Sequence, residues 1–197
     1  MEHFHTETIH DETFEAEEKK SGFLRFSIDV LETLILSVIL FAAINAVSAR
    51  IRVDGSSMEP TLHSGEFVIV NKISYKLGMP EIGDVVIFHY PRDPEQEYVK
   101  RVIGLPGDKV VITDGKVYVN GQLLEEDYIA ASTAKGASWD IPEDALFVLG
   151  DNRNNSQDSR SFGTVPLNYV VGKAVFIYWP PPNWGMIDGP SVAIAAP

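Results

Sequence analysis

The sequence predicts a mainly β fold, with an antiparallel β-sheet domain behind one N-terminal transmembrane helix. Two features support this prediction. Seventeen consecutive residues, Thr33 to Ala49, carry no charge, which approaches the roughly 20 apolar residues that span a bilayer core. After residue 50, short runs of branched and aromatic residues lie between glycines and prolines, without strand–helix alternation. A chain of 197 residues is therefore expected to hold one globular domain with appendages.

The apolar segment, placed at residues 26–49, has two other interpretations. It could be a buried core helix, although an apolar surface on all sides suits lipid better. It could also be a cleaved signal peptide, because the small residues at 47–49 suit a cleavage site. The preceding stretch, however, is acidic and long for such a leader. An uncleaved signal anchor fits the pattern best.

Residues 1–25 form an acidic tail. Residues 1–29 carry eight acids and three bases, a composition that favours a solvated, loosely ordered tail over a charged helix. Three basic residues precede the apolar segment within seven positions, and two follow it closely. This slight bias favours a cytoplasmic N-terminus, with the remaining chain outside the cytoplasm.

Residues 50–180 are predicted to form the β-rich domain. The clearest signal is the pair of turns at Asp114-Gly115 and Asn120-Gly121, which separate short β-type runs as hairpin turns do. The other strands are expected in EFVIVNKIS, GDVVIFHYP, DALFVLGD and GKAVFIYWP. Residues 181–197 are rich in proline and glycine and are too short for a second span.

Charge and cysteine content exclude several classes of function. The net charge of −12 argues against nucleic acid as a partner, because phosphate backbones favour basic surfaces. The chain has no cysteine, which removes disulfides, thiol catalysis and zinc–thiolate sites together.

The segment VDGSSMEPTL, residues 53–62, raises the question of a serine nucleophile. Either Ser56 or Ser57 would need a base to take its proton. His63 and His89 are the histidines of the body of the chain. Nothing in their surroundings marks them as a base, and a structural role is the favoured interpretation for both.

Lys100 is the other candidate base. It lies in an otherwise apolar strand pattern, YVKRVIGL, and burial could keep its amine neutral. Taken alone, the residue is more simply a lysine on the solvent face of an edge strand.

The stretch GDNRNNSQDSRSFG, residues 150–163, is too polar to be a strand interior. Its residue types are those of self-bonded turns, so a plain surface loop is one interpretation. Ion pairs among Asp151, Arg153, Asp158 and Arg160 would instead hold the loop rigid, as the support of a catalytic site requires.

Taken together and in this order, these segments resemble the type I signal peptidases, also called leader peptidases. The resemblance runs from the anchor to about Tyr178 and includes GSSMEPTL, GDVVIFHYP, YVKRVIGLPGD and GDNRNNSQDSRSFG. It implies a β-sheet catalytic domain of the type shared with the SOS-repressor proteases. It also implies the compact form of the family, because the stretch between Lys100 and Asp151 is short.

The resemblance assigns roles residue by residue. The serine directly before Met58 matches the nucleophile, which resolves the earlier choice to Ser57, and Lys100 matches the general base. Ser156 matches the serine that hydrogen-bonds and orients that lysine. The residues that match the braces of the site are Asp151 with Arg101 and Asp158 with Arg160. Those that match positions near the substrate pockets are Val53, Met58, Leu62, Tyr98 and Val99.

Two positions depart from the family pattern. Gly55 stands where some members have a serine whose hydroxyl helps the oxyanion hole, so the hole is expected to rely on the Ser57 backbone N–H. Asn154 replaces an acid that is common in the last motif.

The implied function is removal of signal peptides from exported precursors after small residues at −1 and −3, by a membrane-bound serine endopeptidase. The resemblance implies no metal and no cofactor. The expected partners are precursor proteins and the lipid bilayer, with one span, a cytoplasmic N-terminus and an extracytoplasmic catalytic domain. Two alternatives are a self-cleaving SOS-repressor-like protease, which would carry a DNA-binding module, and a membrane-tethered β-domain that only binds.

Overall fold

The computed structural model describes residues 5–134 and 136–187. The chain divides between Ala46 and Val47 into a helical unit and a β-rich unit. The outer parts of both predicted tails, residues 1–4 and 188–197, lie outside the described residues.

The helical unit is one long helix, α1 (His5–Val47). Its portion Arg25–Val47 has a mean hydropathy of 2.3 and is long and apolar enough to cross a membrane. Apolar side chains along it are exposed, such as Leu34 at 58% and Phe41 at 63%. An all-round apolar and exposed surface is the pattern expected of a helix that lies in lipid.

Both ends of α1 differ from the sequence-based boundaries. The helix begins at His5 and so includes most of the stretch for which a loosely ordered tail was favoured. That stretch is rich in Glu and also contains Lys19 and Lys20; both residue types are strong helix formers, and an already nucleated helix extends readily. At the other end, the strand β1 begins at Ser48, two positions before the predicted domain boundary.

The β-rich unit contains two antiparallel sheets. The larger has the order β1-β2-β11-β3-β4-β9-β10, with β12 paired to β11. Its strands are β1 (Ser48–Arg52), β2 (Phe67–Asn71), β3 (Val85–Tyr90), β4 (Asp93–Gly104), β9 (Ala145–Leu149), β10 (Val165–Pro166), β11 (Val170–Trp179) and β12 (Gly185–Met186). Two short helices, α2 (Ser74–Leu77) and α3 (Ser159–Phe162), and 3-10 turns at Leu167–Tyr169 and Pro181–Asn183 complete this part.

The smaller sheet has the order β7-β6-β5-β8. Its strands are β5 (Lys109–Thr113), β6 (Lys116–Val119), β7 (Gln122–Leu123) and β8 (Ala137–Asp140). Asp114, Gly115, Asn120 and Gly121 all have positive φ, between 49° and 82°. Positive φ at both central residues is what two-residue hairpin turns require, so the two predicted turns are confirmed.

The central strands of the larger sheet are buried on both faces. Along β3, Val85 and Ile87 pack into one core cluster, whereas Val86 and Phe88 pack into another. Successive side chains of a strand point to opposite faces, so each face of the sheet carries its own core. All strand pairs in this sheet are antiparallel, so the antiparallel β prediction is confirmed. The central strands are enclosed by apolar residues on both faces.

The two edges of strand β4 are paired over different lengths, one edge with β3 and the other with β9. The strand pairs with β3 from Asp93 to Arg101, and with β9 from Arg101 to Gly104. In the described ranges, no strand pairs with its second edge between residues 94 and 100. An unpaired edge exposes backbone N–H and C=O groups that can bind another extended chain.

Candidate active site

A cleft of about 620 Å³ opens along this free edge of β4. One wall is residues 51–57, the end of β1 and the turn that follows it, and the opposite wall is the part of β4 at residues 96–100. Asn155 and Gln157 of the polar loop line it as well. The cleft thus brings together residues of all four segments that carry the family resemblance, since Ile87 of GDVVIFHYP lines it too.

Ser57 lies in the turn that follows β1. Gly55 has φ of +88°, a backbone region that glycine enters without strain and that turns the chain into the serine. The Ser57 carbonyl accepts a hydrogen bond from the Asn152 backbone N–H at 3.0 Å. The serine is therefore tied at its backbone to the polar loop, while its side chain faces the cleft.

Lys100 reaches Ser57 from the opposite wall. Its Nζ lies 2.8 Å from Ser57 Oγ and donates to the Val99 carbonyl oxygen, also at 2.8 Å. The side chain of Lys100 is 4% exposed. A neutral amine has one lone pair, so a donor bond to Val99 leaves that lone pair available to the serine hydroxyl.

Burial lowers the pKa of Lys100 to about 8 from a usual value of 10.5. The negative charges of Asp158 and Asp151 oppose this shift, but burial is the larger effect. A lysine with a pKa near 8 is neutral in roughly one molecule in ten at pH 7, compared with about one in 3,000 for an unperturbed lysine. The surroundings of Lys100 thus suit a proton acceptor.

The residue next to Lys100 forms a buried ion pair. Arg101 donates to both carboxylate oxygens of Asp151, at 2.9 and 2.7 Å, and to the Gly83 carbonyl at 2.8 Å. Thr61 Oγ1 donates to the same carboxylate at 2.6 Å. Arg101 and Asp151 are 1% and 0% exposed, so the pair ties β4 to the polar loop within the protein interior.

A second pair closes the loop on itself. Arg160 donates to both Asp158 oxygens, at 2.8 and 2.7 Å, and to the Arg153 carbonyl at 2.6 Å. Asp158 also accepts from the Gly150 N–H at 3.1 Å and is the N-cap of α3. The Arg101–Asp151 pair therefore joins the loop to β4, whereas the Arg160–Asp158 pair stabilises the loop internally.

Ser156 does not contact Lys100 in this structure. Its Oγ is buried and has no hydrogen-bond partner among the described residues. The hydroxyl nevertheless lies beside Gly150, where an added Cβ would come within 2.3 Å of it. The predicted hydrogen bond to the lysine is therefore absent here, and the hydroxyl lies unpartnered within the polar loop.

The predicted pocket residues separate into two groups. Val53, Tyr98 and Val99 line the cleft, as expected. Met58 and Leu62 are not among the residues that line it, and their role near the substrate pockets stays a prediction. They are 1% and 0% exposed and belong to the core cluster on one face of the sheet. The turn after Ser57 thus directs their apolar side chains into this core.

The two histidines that were weighed as bases lie outside the cleft lining. His89 contacts the Pro94 carbonyl through Nδ1 at 3.0 Å. His63 Nδ1 lies 3.7 Å from the buried carboxylate of Glu66. Both positions agree with the structural role that the sequence favoured.

Sequence reasoning missed a second buried charge cluster behind the loop. Arg153 was expected to pair within the loop, but it binds Glu126 and Tyr128 from the connection between β7 and β8. The run LLEEDYI, which contains these residues, has the composition of an ordinary surface loop. No local signal marks its partner, because the contact joins residues 27 positions apart.

Comparisons with known proteins identify a family and several named relatives. The family model "Signal peptidase, peptidase S26" matches residues 27–179. "Probable signal peptidase I-2" of Synechocystis sp. is 41% identical over 190 residues, which cover 92% of this chain and 86% of the relative. "Signal peptidase I" of Bacillus caldolyticus is 42% identical over 65% of this chain and 78% of its own length. A crystal structure of a signal peptidase I from Enterococcus faecalis is 37% identical, covering 48% of this chain and 95% of the solved chain with a TM-score of 0.45.

Proposed function

The chain belongs to the signal peptidases of the peptidase S26 family, and we propose that it removes signal peptides from exported precursors with a Ser57–Lys100 dyad. Its activity is that of signal peptidase I, the hydrolysis of a peptide bond by a serine protease. The finer features proposed here are the dyad, the preference for small side chains, and the attachment to a membrane.

One observation carries the dyad. Lys100 Nζ lies 2.8 Å from Ser57 Oγ in a cleft, and burial lowers the pKa of that lysine to about 8. A serine hydroxyl is a weak nucleophile until a base takes its proton. A hydrogen-bond distance and a proton acceptor that is partly neutral near pH 7 are the two requirements for such a base.

In the proposed first step, the neutral amine of Lys100 takes the proton from Ser57 Oγ as that oxygen attacks the scissile carbonyl. The carbonyl oxygen acquires negative charge, which the Ser57 backbone N–H stabilises by donating a hydrogen bond. Gly55 leaves open space beside this position, because nothing lies within 4 Å of where its Cβ would be. Water in that space would supply a further donor.

In the second step, the lysinium gives its proton to the leaving amine and the peptide bond breaks, which leaves the signal peptide as an ester on Ser57. Lys100 is then neutral again and takes a proton from water, whose oxygen attacks the ester. As the ester bond breaks, the lysinium returns that proton to Ser57 Oγ, and the signal peptide leaves with a free carboxyl group. We propose that the buried, unpartnered hydroxyl of Ser156 orients Lys100 when the amine has lost its contact with Ser57.

The cleft supports binding of an extended substrate. The unpaired edge of β4 offers backbone groups, so a peptide can add to it as a further strand. Val53, Tyr98 and Val99, with Ile51 and Ile87, provide apolar lining beside the dyad. Alternate side chains of an extended peptide point to the same side, so the two positions that meet this lining are −1 and −3.

We propose that α1 anchors the enzyme in the cytoplasmic membrane by its part from Arg25 to Val47. Its hydroxyls have internal partners that suit a lipid setting: Thr33 Oγ1 donates to the Asp29 carbonyl, and Ser37 Oγ to the Thr33 carbonyl. Confinement to the membrane raises the effective concentration of precursors that emerge there. The N-terminus is proposed to be cytoplasmic, with residues 50–180 outside the cytoplasm.

The test compares full-length protein in detergent with its Ser57→Ala variant on a purified precursor. Wild type should release the mature protein, whereas Ser57→Ala should not. Ser56→Ala is the matched control, because Ser56 is adjacent but its Oγ accepts from Asn155 Nδ2 instead of contacting the lysine. Equal loss of cleavage in both variants would refute the assignment of the nucleophile.

A further inference from the structure

The connection between β7 and β8 contacts the catalytic loop, which we define as residues 150–158. Residues 126–133 of the β7–β8 connection form what we call the brace segment. Three of its side chains bind the guanidinium of Arg153: Glu126, Tyr128 and Thr133. Arg153 and Glu126 are 0% and 6% exposed at their side chains, so this contact lies in the protein interior.

Every donor direction of Arg153 is used. Its Nη1 donates to Glu126 Oε2 at 2.8 Å and to Thr133 Oγ1 at 3.2 Å, while its Nη2 donates to Glu126 Oε1 and to the Tyr128 hydroxyl. Its Nε donates to the Gly150 carbonyl at 3.1 Å. A guanidinium has five N–H donors, and the brace segment binds four of them. The fifth therefore fixes the first residue of the catalytic loop.

Gly150 in turn packs directly on the nucleophile. An added Cβ at this residue would lie 2.4 Å from the Ser57 carbonyl oxygen. The same carbonyl accepts the Asn152 N–H at 3.0 Å. A shift of the loop at Gly150 thus moves the backbone of Ser57, which carries both the hydroxyl and the proposed oxyanion donor.

The brace segment also contacts the residue beside the base. The ring of Tyr128 lies under the Arg101 guanidinium at 4.1 Å, and the Tyr128 hydroxyl donates to Glu126 Oε1 at 2.8 Å. Burial raises the pKa of Tyr128, so this hydroxyl keeps its proton. Arg101 follows Lys100 in β4, so one tyrosine links the supports of the base and of the nucleophile.

We propose that Glu126 and Tyr128 are positioning residues. Through Arg153 and Arg101, they hold Ser57 and Lys100 at the distance and orientation that proton transfer requires. The inference rests on the proposed function of the same site. It also assigns a purpose to the smaller sheet, whose β7–β8 connection delivers both residues to the catalytic loop.

The test measures kcat and KM for precursor cleavage by full-length wild type, Glu126→Gln and Tyr128→Phe. Glu125→Gln is the matched control, since it makes the same change at the adjacent, exposed residue. Loss of a charge-assisted bond should lower kcat of Glu126→Gln by at least about tenfold, with KM within about twofold because the cleft lining is intact. Rates are divided by the folded fraction from near-UV circular dichroism, so reduced stability alone leaves kcat unchanged.

Tyr128→Phe keeps the ring on Arg101 and removes one neutral hydrogen bond, so it should lower kcat by about threefold to tenfold. If Glu126→Gln does not fold, the kcat of Tyr128→Phe alone tests the inference. Wild-type kcat per folded molecule in Tyr128→Phe, or in a folded Glu126→Gln, overturns the inference while leaving the proposed function intact. Absence of cleavage by wild type and by Glu125→Gln would instead overturn both.

Discussion

At the scale of single residues, the account depends on the protonation of Lys100. Burial lowers its pKa to about 8, and only the neutral amine accepts the proton of Ser57. Below pH 8 the amine is protonated, so kcat/KM should fall about tenfold per pH unit as the pH decreases. The measurement is a pH–rate profile of precursor cleavage, for which we expect a rising limb with its midpoint near pH 8. A limb centred near pH 6 would indicate a histidine in place of the lysine.

A second residue-scale prediction concerns the buried pair of Arg101 and Asp151. Asp151→Asn leaves a buried guanidinium without its counter-charge, which should reduce the free energy of unfolding by about 3–5 kcal/mol. Chemical denaturation of the β-rich unit within the full chain measures this. Asp140→Asn is the control, since Asp140 pairs with Lys109 on the surface at 85% and 57% exposure, and should change stability by less than about 1 kcal/mol. Equal stability of the two variants would contradict the structural role of the Arg101–Asp151 pair.

At the scale of elements, the turn after β1 and the catalytic loop form one packed unit. Gly150→Ala should lower kcat by about a hundredfold or more, because the new methyl overlaps the Ser57 carbonyl at 2.4 Å and a displacement near 1 Å can cost that much. Gly185→Ala, in β12, is the control, since its Cβ would meet only the Asn183 carbonyl at 3.9 Å. Wild-type rates in Gly150→Ala would mean that the loop tolerates a shift without effect on Ser57.

The elements also show what the sequence could and could not predict. Turns such as Asn120-Gly121 carry their own conformational signal, and strands such as β3 carry theirs in branched residues, so both were predicted. The burial of Met58 and Leu62 depends on which way one turn points, which strand alternation does not determine. The pairing of Glu126 with Arg153 depends on how the smaller sheet packs against the loop, and residue types alone do not encode that distance.

At the scale of the whole molecule, residues 1–25 and the β-rich unit are predicted to lie on opposite sides of the membrane that α1 crosses. With the N-terminus cytoplasmic, protease added to intact spheroplasts should digest residues 50–180 and leave a fragment that contains α1. A tag at the N-terminus should become accessible only after permeabilisation. Protection of the β-rich unit in intact spheroplasts would reverse the orientation.

The central claim is that Lys100 is the base for Ser57, and Lys100→Arg tests it most directly. Arginine keeps the positive charge and much of the length of lysine but effectively never gives up its proton. Precursor cleavage is measured for folded Lys100→Arg beside wild type and Ser57→Ala at pH 8 to 9, where we expect at least half of the wild-type lysine to be neutral. We expect the rate of Lys100→Arg to fall to the background rate of Ser57→Ala. Substantial turnover by Lys100→Arg would contradict the central claim, because a permanent cation cannot accept the serine proton.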